Sequence, residues 1–313
     1  FTHLLYVGWL VLAIVHAPAI LAFAGVPLLG FGIEQILRLR RRGLATTIPN
    51  AQALRSGVAR LEIARPPGFS FQPGDYVFLR IPDVAKREWH PFTLSSAPEE
   101  RALTVHVRSL GNWTHALRRK IEERYAWGTT KPMQAFVDGP YGSPSAAIFD
   151  SEVAVLVGAG IGVTPFASVL ESLVLRGNGE KPPRLRKAYF FWLNRDQYSF
   201  EWFAELLRKT EEADHRGMLE VHLCMTGGKA GTTAIALEAA RDLLHSAGRT
   251  DIVTGLRTHT HMGHPDWNEL LGAIAARHAP LDVQTFFCGP PGLAQKLRTV
   301  SEGHGMTFHE EQF

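Results

Sequence analysis

The stretch Val153-Ala154-Val155-Leu156-Val157-Gly158-Ala159-Gly160-Ile161-Gly162-Val163-Thr164-Pro165 reads as an apolar strand, a tight turn and the start of a helix. Three glycines spaced by one residue let the backbone approach a ligand closely. The helix that follows offers free N–H groups and partial positive charge to a phosphate. Thr164 either caps that helix or donates to the phosphate, and Pro165 falls in the first turn, where its missing N–H does least harm. A plain strand-to-helix turn is the bland alternative for such a loop, so its neighbours decide.

About sixty residues upstream stands His90-Pro91-Phe92-Thr93-Leu94-Ser95-Ser96. Pro91 holds the strand open, and an imidazole with three hydroxyls (Thr93, Ser95, Ser96) offers donors to the edge and phosphates of a flavin. A hydroxyl-bearing barrel strand is the plain reading of that string. A second element, Arg108-Ser109-Leu110-Gly111-Asn112-Trp113-Thr114, puts a cation at a strand end before a helix start, where a pyrophosphate is well accommodated. Trp113 by itself reads as core.

The remaining texture divides the chain of 313 residues into three parts. Between 44 and 150, runs such as Gly57 to Ile63, Tyr76 to Ile81 and Leu103 to Arg108 alternate at period two, and Gln72-Pro73-Gly74-Asp75 makes a turn. These predict a small antiparallel β-barrel. From 151 to 313 the pattern is α/β, with strands at Val153 to Val157, Ala188 to Leu193, Leu219 to Met225 and Val283 to Cys288, and helices through Leu175 and over Phe200 to Glu212. That predicts a doubly wound parallel nucleotide-binding sheet. Gly227 to Asp266 reads as an insertion.

Residues 1–43 differ. From Phe1 to Leu39 the ionisable side chains are His3, His16, Glu34 and Arg38, Tyr6 aside, and the segment splits at Pro18. Two membrane spans, Phe1 to Ala17 and Ile20 to Leu39, form a transmembrane helical hairpin in this reading. Arg38, Arg40, Arg41 and Arg42 place the end of the second span, and the domains after it, on the cytoplasmic side. An apolar helix under way at Phe1 points to a piece of a longer membrane protein. A net charge of +3 gives no case for nucleic acid, and two cysteines, Cys224 and Cys288, make neither a disulfide framework nor a metal pair.

Together the motifs resemble the C-terminal part of an NADPH oxidase, of the ferric-reductase-like transmembrane superfamily, closest to the calcium-regulated subgroup. They are His90 to Ser96, Gly111-Asn112-Trp113-Thr114, Asp138-Gly139-Pro140-Tyr141-Gly142, Gly158 to Pro165, Trp192-Leu193-Asn194-Arg195-Asp196, Phe200-Glu201-Trp202-Phe203, Cys288-Gly289-Pro290 and the terminal Phe313. The fold implied is ferredoxin-reductase-like. The resemblance implies FAD at His90, Pro91, Phe92, Thr93, Ser95 and Ser96, with its pyrophosphate near Arg108, Gly111, Trp113 and Thr114. It implies NADPH at Gly158, Gly160, Gly162, Thr164 and Pro165, with Cys288, Gly289 and Pro290 beside the nicotinamide, Phe313 on the flavin, and Cys288, Phe313 and Thr93 at the reacting atoms. Arg195 matches a contact to the 2′-phosphate. The arginine usual before Pro-Asp-Trp is His264 here, which weakens the preference over NADH and leaves Arg257 and His259 as substitutes.

His3 and His16 match haem-iron ligands for two haems b. Thirteen residues separate them by about 20 Å along a helix, and at ~100° per residue they lie about 140° apart around it. Their partner histidines are not in this chain and belong to upstream membrane helices. The implied activity passes electrons from NADPH through FAD and haem to O2, giving superoxide. A membrane ferric or metal-chelate reductase is the alternative on the same scaffold. A calcium-binding regulatory domain would have to come from elsewhere, because no EF-hand loop is present.

Overall fold

Strands with helices on both faces must be apolar throughout, and Val153 to Val157 meets that demand. The computed structural model describes residues 5–40, 43–176, 184–195, 200–213, 217–227, 258 and 260–311. Two compact units separate at residue 43.

The first unit is a pair of helices, α1 (Leu5–His16) and α2 (Ile20–Arg40), at the places expected for the two spans. Among the described residues, however, no helix is long and apolar enough to cross a membrane. The 12 residues of α1 rise about 18 Å against a hydrocarbon core of about 30 Å. In α2, Pro27 lies inside the helix and Glu34 interrupts its apolar run. The expected transmembrane hairpin is therefore seen only as a helix pair. Its surface is apolar, with Leu5, Trp9, Leu12, Val15, Val26 and Leu29 exposed.

The second unit opens with two antiparallel sheets around one core. One has the order β1 (Leu44–Ile48), β7 (Met133–Tyr141), β4 (Tyr76–Arg80), β5 (His90–Thr93), and the other β2 (Asn50–Ala53), β3 (Val58–Ala64), β6 (Ala102–Arg108). Alternation at period two turns Leu61 and Ile63 of β3 and Leu103, Val105 and Val107 of β6 inward. Helix α3 (Asn112–Ala126) closes the barrel with Trp113, Leu117 and Ile121.

A six-stranded, wholly parallel sheet follows, in the order β11 (Thr260–Met262), β10 (Leu219–Met225), β9 (Lys187–Asn194), β8 (Val153–Ala159), β12 (Val283–Cys288), β13 (Thr307–Glu311). Helices α4 (Thr164–Arg176) and α5 (Glu201–Ala213) cover one face, through Phe166, Leu170, Phe203 and Leu207. Helices α6 (Trp267–His278) and α7 (Pro291–Gly303) cover the other, through Trp267, Leu271 and Leu297. The winding reverses between β8 and β12. Their carboxyl ends form the switch point of the sheet, the place where doubly wound sheets take ligands.

Two features tie that switch point together. A Cβ on Gly162 would overlap the Cys288 carbonyl and lie 3.1 Å from its Sγ, so the glycine loop sits directly on the end of β12. Helix α4, which the loop begins, is fastened to the barrel segment after the His90–Ser96 motif. Ser168 Oγ donates to the Ser96 carbonyl at 2.7 Å, Glu171 Oε2 accepts from the Ala97 N–H at 2.6 Å, and Arg176 Nε donates to Glu99 Oε1 at 2.6 Å.

Gly162→Ala should therefore destabilise the chain by about 2–3 kcal/mol through overpacking against backbone, read as a lowered urea midpoint; an unchanged midpoint would refute the close approach. Glu171→Ala strands the Ala97 N–H, and a loss of about 1–3 kcal/mol is expected. That loss should appear as earlier exposure of the seam in hydrogen exchange.

Candidate functional site

The switch point gathers residues from five places in the chain. Gly158 pairs with Cys288 across β8 and β12, and the turn Gly160–Val163 carries the chain into α4. Gly160 has φ +59°, open to a residue without Cβ, and a Cβ there would stand 3.4 Å from Arg108 Nη1. Trp192 Nε1 donates to the Gly160 carbonyl at 3.0 Å and holds the turn from below. Thr164 begins α4 and its Oγ1 donates to the Ile161 carbonyl at 3.2 Å, while Pro165 is buried in the first turn. The loop thus lies with a guanidinium from the barrel beside Gly160.

Arg108 ends β6, and Ser109 N–H donates to the Gly57 carbonyl as the chain leaves the strand. Gly111 precedes α3. Thr114 Oγ1 accepts from the Leu110 and Gly111 N–H groups, both at 2.9 Å, closing the turn between Arg108 and the helix. Trp113 lies in the barrel core, its ring centroid 4.4 Å from His90 and 5.7 Å from Phe92, so this tryptophan shapes the His90–Thr93 strand from beneath. Pro91 is exposed on the same strand and Thr93 is buried at its end, paired with Tyr76.

The hydroxyls of Ser95 and Ser96 are committed inside the protein, unlike the expected outward donors. Ser95 Oγ donates to the Thr104 carbonyl at 3.0 Å and meets His106 Nδ1 at 2.8 Å, and Ser96 Oγ accepts from Thr104 N–H at 3.0 Å. The physical reason is pairing with β6, which the motif alone does not disclose. Burial, with Arg60 nearby, drives His106 down to about 3. It therefore stays neutral, its ring 4.2 Å from Trp202 of α5.

Cys288 is buried at the carboxyl end of β12, and burial, then the Glu311 charge, pushes its thiol far up. It is a neutral S–H at any physiological pH, a shape and dipole rather than a nucleophile. Gly289 admits Ala159, since a Cβ there would come within 2.8 Å of the Ala159 Cβ. Pro290 caps α7. Arg195 is exposed just past β9, and the buried Asn194 beside it has an amide nitrogen without a partner among the described residues. His264 is exposed before Pro265 and Asp266, whose carboxylate caps α6 by accepting from Asn268 and Glu269 N–H. His16 ends α1 with its side chain exposed. His3, Arg257, His259 and Phe313 lie outside the described residues. Among the described residues, no group of three or more His, Cys, Asp or Glu side chains could hold a metal ion.

Two carboxylates at this site have no place in the sequence reading. Glu311, on β13 opposite Cys288, accepts from Ser145 N–H at 2.8 Å, and Asp75, in the turn before β4, is buried within electrostatic reach of Glu311. The available signal for Glu311 was an acid two residues before an aromatic terminus; for Asp75 there was only a turn.

Both halves of this site have counterparts in known proteins. Residues 44–145 match a family described as an FAD-binding domain, and residues 151–302 one described as a ferric reductase NAD binding domain. NADPH oxidase 5 of Homo sapiens is 38% identical, covering 100% of this chain and 48% of its own. NADPH oxidase 1 of Mus musculus is 38% identical (90% and 47%), and a superoxide-generating NADPH oxidase heavy chain of Dictyostelium discoideum 35% (88% and 54%). The chain spans about half the length of these relatives. Among solved structures, ferredoxin-NADP+ reductase from Plasmodium falciparum superposes with TM-score 0.57 at 14% identity, over 87% of this chain and 97% of that one, and phthalate dioxygenase reductase with 0.56 at 18%, over 87% and 68%. The solved structures share the fold, a ferredoxin-reductase-like barrel and parallel sheet. From the two matched domains and these relatives, the chain belongs to the NADPH oxidase family.

Proposed function

We propose that this chain is the dehydrogenase portion of a flavin-dependent NADPH oxidase, taking electrons from NADPH and passing them through FAD and haem to O2 to give superoxide. The observation that carries the reading is the close packing of Gly160 on Arg108 and of Gly162 on Cys288. It brings the glycine turn, the guanidinium of Arg108 and the end of β12 together.

The residues present fit both cofactors. Arg108 and the amino end of α3 suit an anionic pyrophosphate, and the strand His90 to Thr93 offers a flat, part-exposed face for FAD. Gly158 and Gly162 let the turn pack on Val163 and Cys288, and the turn with Gly160 and Thr164 would face the phosphates of NADPH. Arg195, exposed next to Asn194, whose amide nitrogen has no partner among the described residues, suits its 2′-phosphate. When bound, the flavin and the nicotinamide supply hydride acceptance and one-electron donation. The protein's own share is positioning. Cys288 keeps a neutral thiol at the switch point, Thr93 ends the flavin strand, and Phe313 would cover the flavin face until the nucleotide arrives. Division at 44–150 for the flavin and 151–313 for the nucleotide follows from this assignment.

The exposed apolar side chains of the helix pair support association with a lipid bilayer, the later domains lying on its cytoplasmic side. His3 and His16 would each give one ligand to a haem b, with partner ligands and any calcium-binding regulation from segments outside this chain. The ferric-reductase description of residues 151–302 keeps a metal chelate as the second candidate acceptor.

Anaerobic stopped-flow of the FAD-loaded chain should show flavin bleaching faster with NADPH than with NADH. Arg195→Ala should raise KM for NADPH about 10–100-fold, the worth of a charge-assisted contact, and leave NADH unaffected; equal effects on both would sink the 2′-phosphate role. Cys288→Ala should slow flavin reduction about tenfold or more through misplacement of the reacting atoms, with FAD still bound. In air, superoxide formation outpacing ferric-chelate reduction would favour the oxidase over the metal reductase.

A further inference from the structure

Asn194 is the last residue of β9 and stands where the sheet meets the barrel. It is 4% exposed, yet its amide nitrogen has no partner among the described residues. Its backbone is pinned, since its carbonyl accepts from Thr226 N–H at 2.6 Å and from Thr226 Oγ1 at 3.1 Å. Alternation along the strand puts the Asn194 side chain on the face of Trp192, whose Nε1 reaches the Gly160 carbonyl. Arg195, one residue on, is exposed past the strand end. A buried amide without a partner costs stability unless a ligand takes its hydrogen bonds.

The residue lines a small void shared by barrel and sheet. Asn194, Gly160, Ile161 and Trp202 bound it on the sheet side, and Ser56 and Arg108 on the barrel side. Its volume is about 10 Å³, room for a single oxygen atom. Arg108 Nη1 stands 3.4 Å from the place a Cβ on Gly160 would take. Among the described residues, no acid lines the void. The Gly160 carbonyl is already taken by Trp192 Nε1. What the void offers is therefore chiefly donors, the Asn194 amide from one side and a guanidinium from the other. A water there would need acceptors for its own protons, whereas an anionic oxygen needs none.

We propose that Asn194 and Arg108 together hold one non-bridging oxygen of the pyridine nucleotide's diphosphate, gripping it from the sheet and from the barrel at once. The phosphate itself lies on the turn Gly160–Val163, and the void takes the oxygen directed at the barrel. A guanidinium carries five donors on a flat fork, so an edge turned to the void leaves others for the diphosphate of the flavin. Arg108 then serves both cofactors, and Asn194 serves the nucleotide alone. A nucleotide with a diphosphate bridges barrel and sheet in this way. Adenosine 2′-monophosphate, which has none, meets only the Arg195 end. The identity of the anion rests on the function proposed above, whereas the facing donors do not.

Equilibrium titrations of the full chain saturated with FAD test this, with NADP+ and adenosine 2′-monophosphate as probes. Asn194→Ala should weaken NADP+ about tenfold or more, the worth of a hydrogen bond to a charged group, and leave the smaller probe and FAD within about twofold. Asn194→Asp keeps the shape of the side chain and exchanges its donor for an anion, so it answers the same question should the alanine variant not fold. It should weaken NADP+ at least as much, again sparing adenosine 2′-monophosphate. Arg108→Gln should weaken NADP+ even with FAD held saturating. In the double variant Asn194→Ala, Arg108→Gln the combined loss should fall short of the product of the two, because both contacts go to one oxygen. Unchanged NADP+ affinity in both Asn194 variants would assign the void to a water and overturn the proposal. Equal losses for the two probes would overturn it too, as the mark of a deformed sheet edge. A wild-type chain that binds neither probe would instead sink the nucleotide assignment on which the proposal rests.

Discussion

The bare backbone of Gly162 against the carbonyl of Cys288 is the contact on which the rest of the site depends. Because no side chain stands between them, the phosphate-type turn lies on the end of β12 and not above it. The turn begins α4, and α4 is fastened through Ser168, Glu171 and Arg176 to residues 96–99 of the barrel. One glycine thus fixes how far the two ligand-binding halves of the second unit stand apart. Hydride transfer, the step in the proposed function, would tolerate little error in that distance.

Charge at this end of the sheet is distributed unevenly. Arg108 stands by Gly160, and Arg195 follows β9. At the Cys288 end, among the described residues, the charged group acting on the thiol is the buried acid Glu311. On the proposed function, the phosphates meet the first region and the nicotinamide the second. His106 belongs to neither; neutral and buried between Ser95 and Trp202, it packs the seam without adding charge.

Much of the fold was legible because local pattern and tertiary environment agreed. Period-two alternation in β3, β4 and β6 marked strands with one buried face, and the continuous apolar run of β8 marked a strand covered on both sides. Less legible were β1, β2, β7 and β13, which are held by partners distant in the chain, such as Leu44 to Val137 and Glu311 to Cys288. The turn Gln72–Asp75 was readable as a turn, but its meaning as the support of a buried acid was not.

Sequence alone determined the presence of a strand–glycine-loop–helix unit, the order of barrel before parallel sheet, and the residue types able to hold a flavin and a nucleotide. These depend on short-range pattern, and each motif carries its own spacing. Tertiary structure decided which of those side chains face the switch point. It turned Ser95 and Ser96 inward onto β6, placed Trp113 against the His90–Thr93 strand, and brought Glu311 to Ser145 across more than a hundred and sixty residues of chain. A hydroxyl or carboxylate has the same letter in either setting; its partner and its burial, set by sheet pairing and domain packing, decide its chemistry.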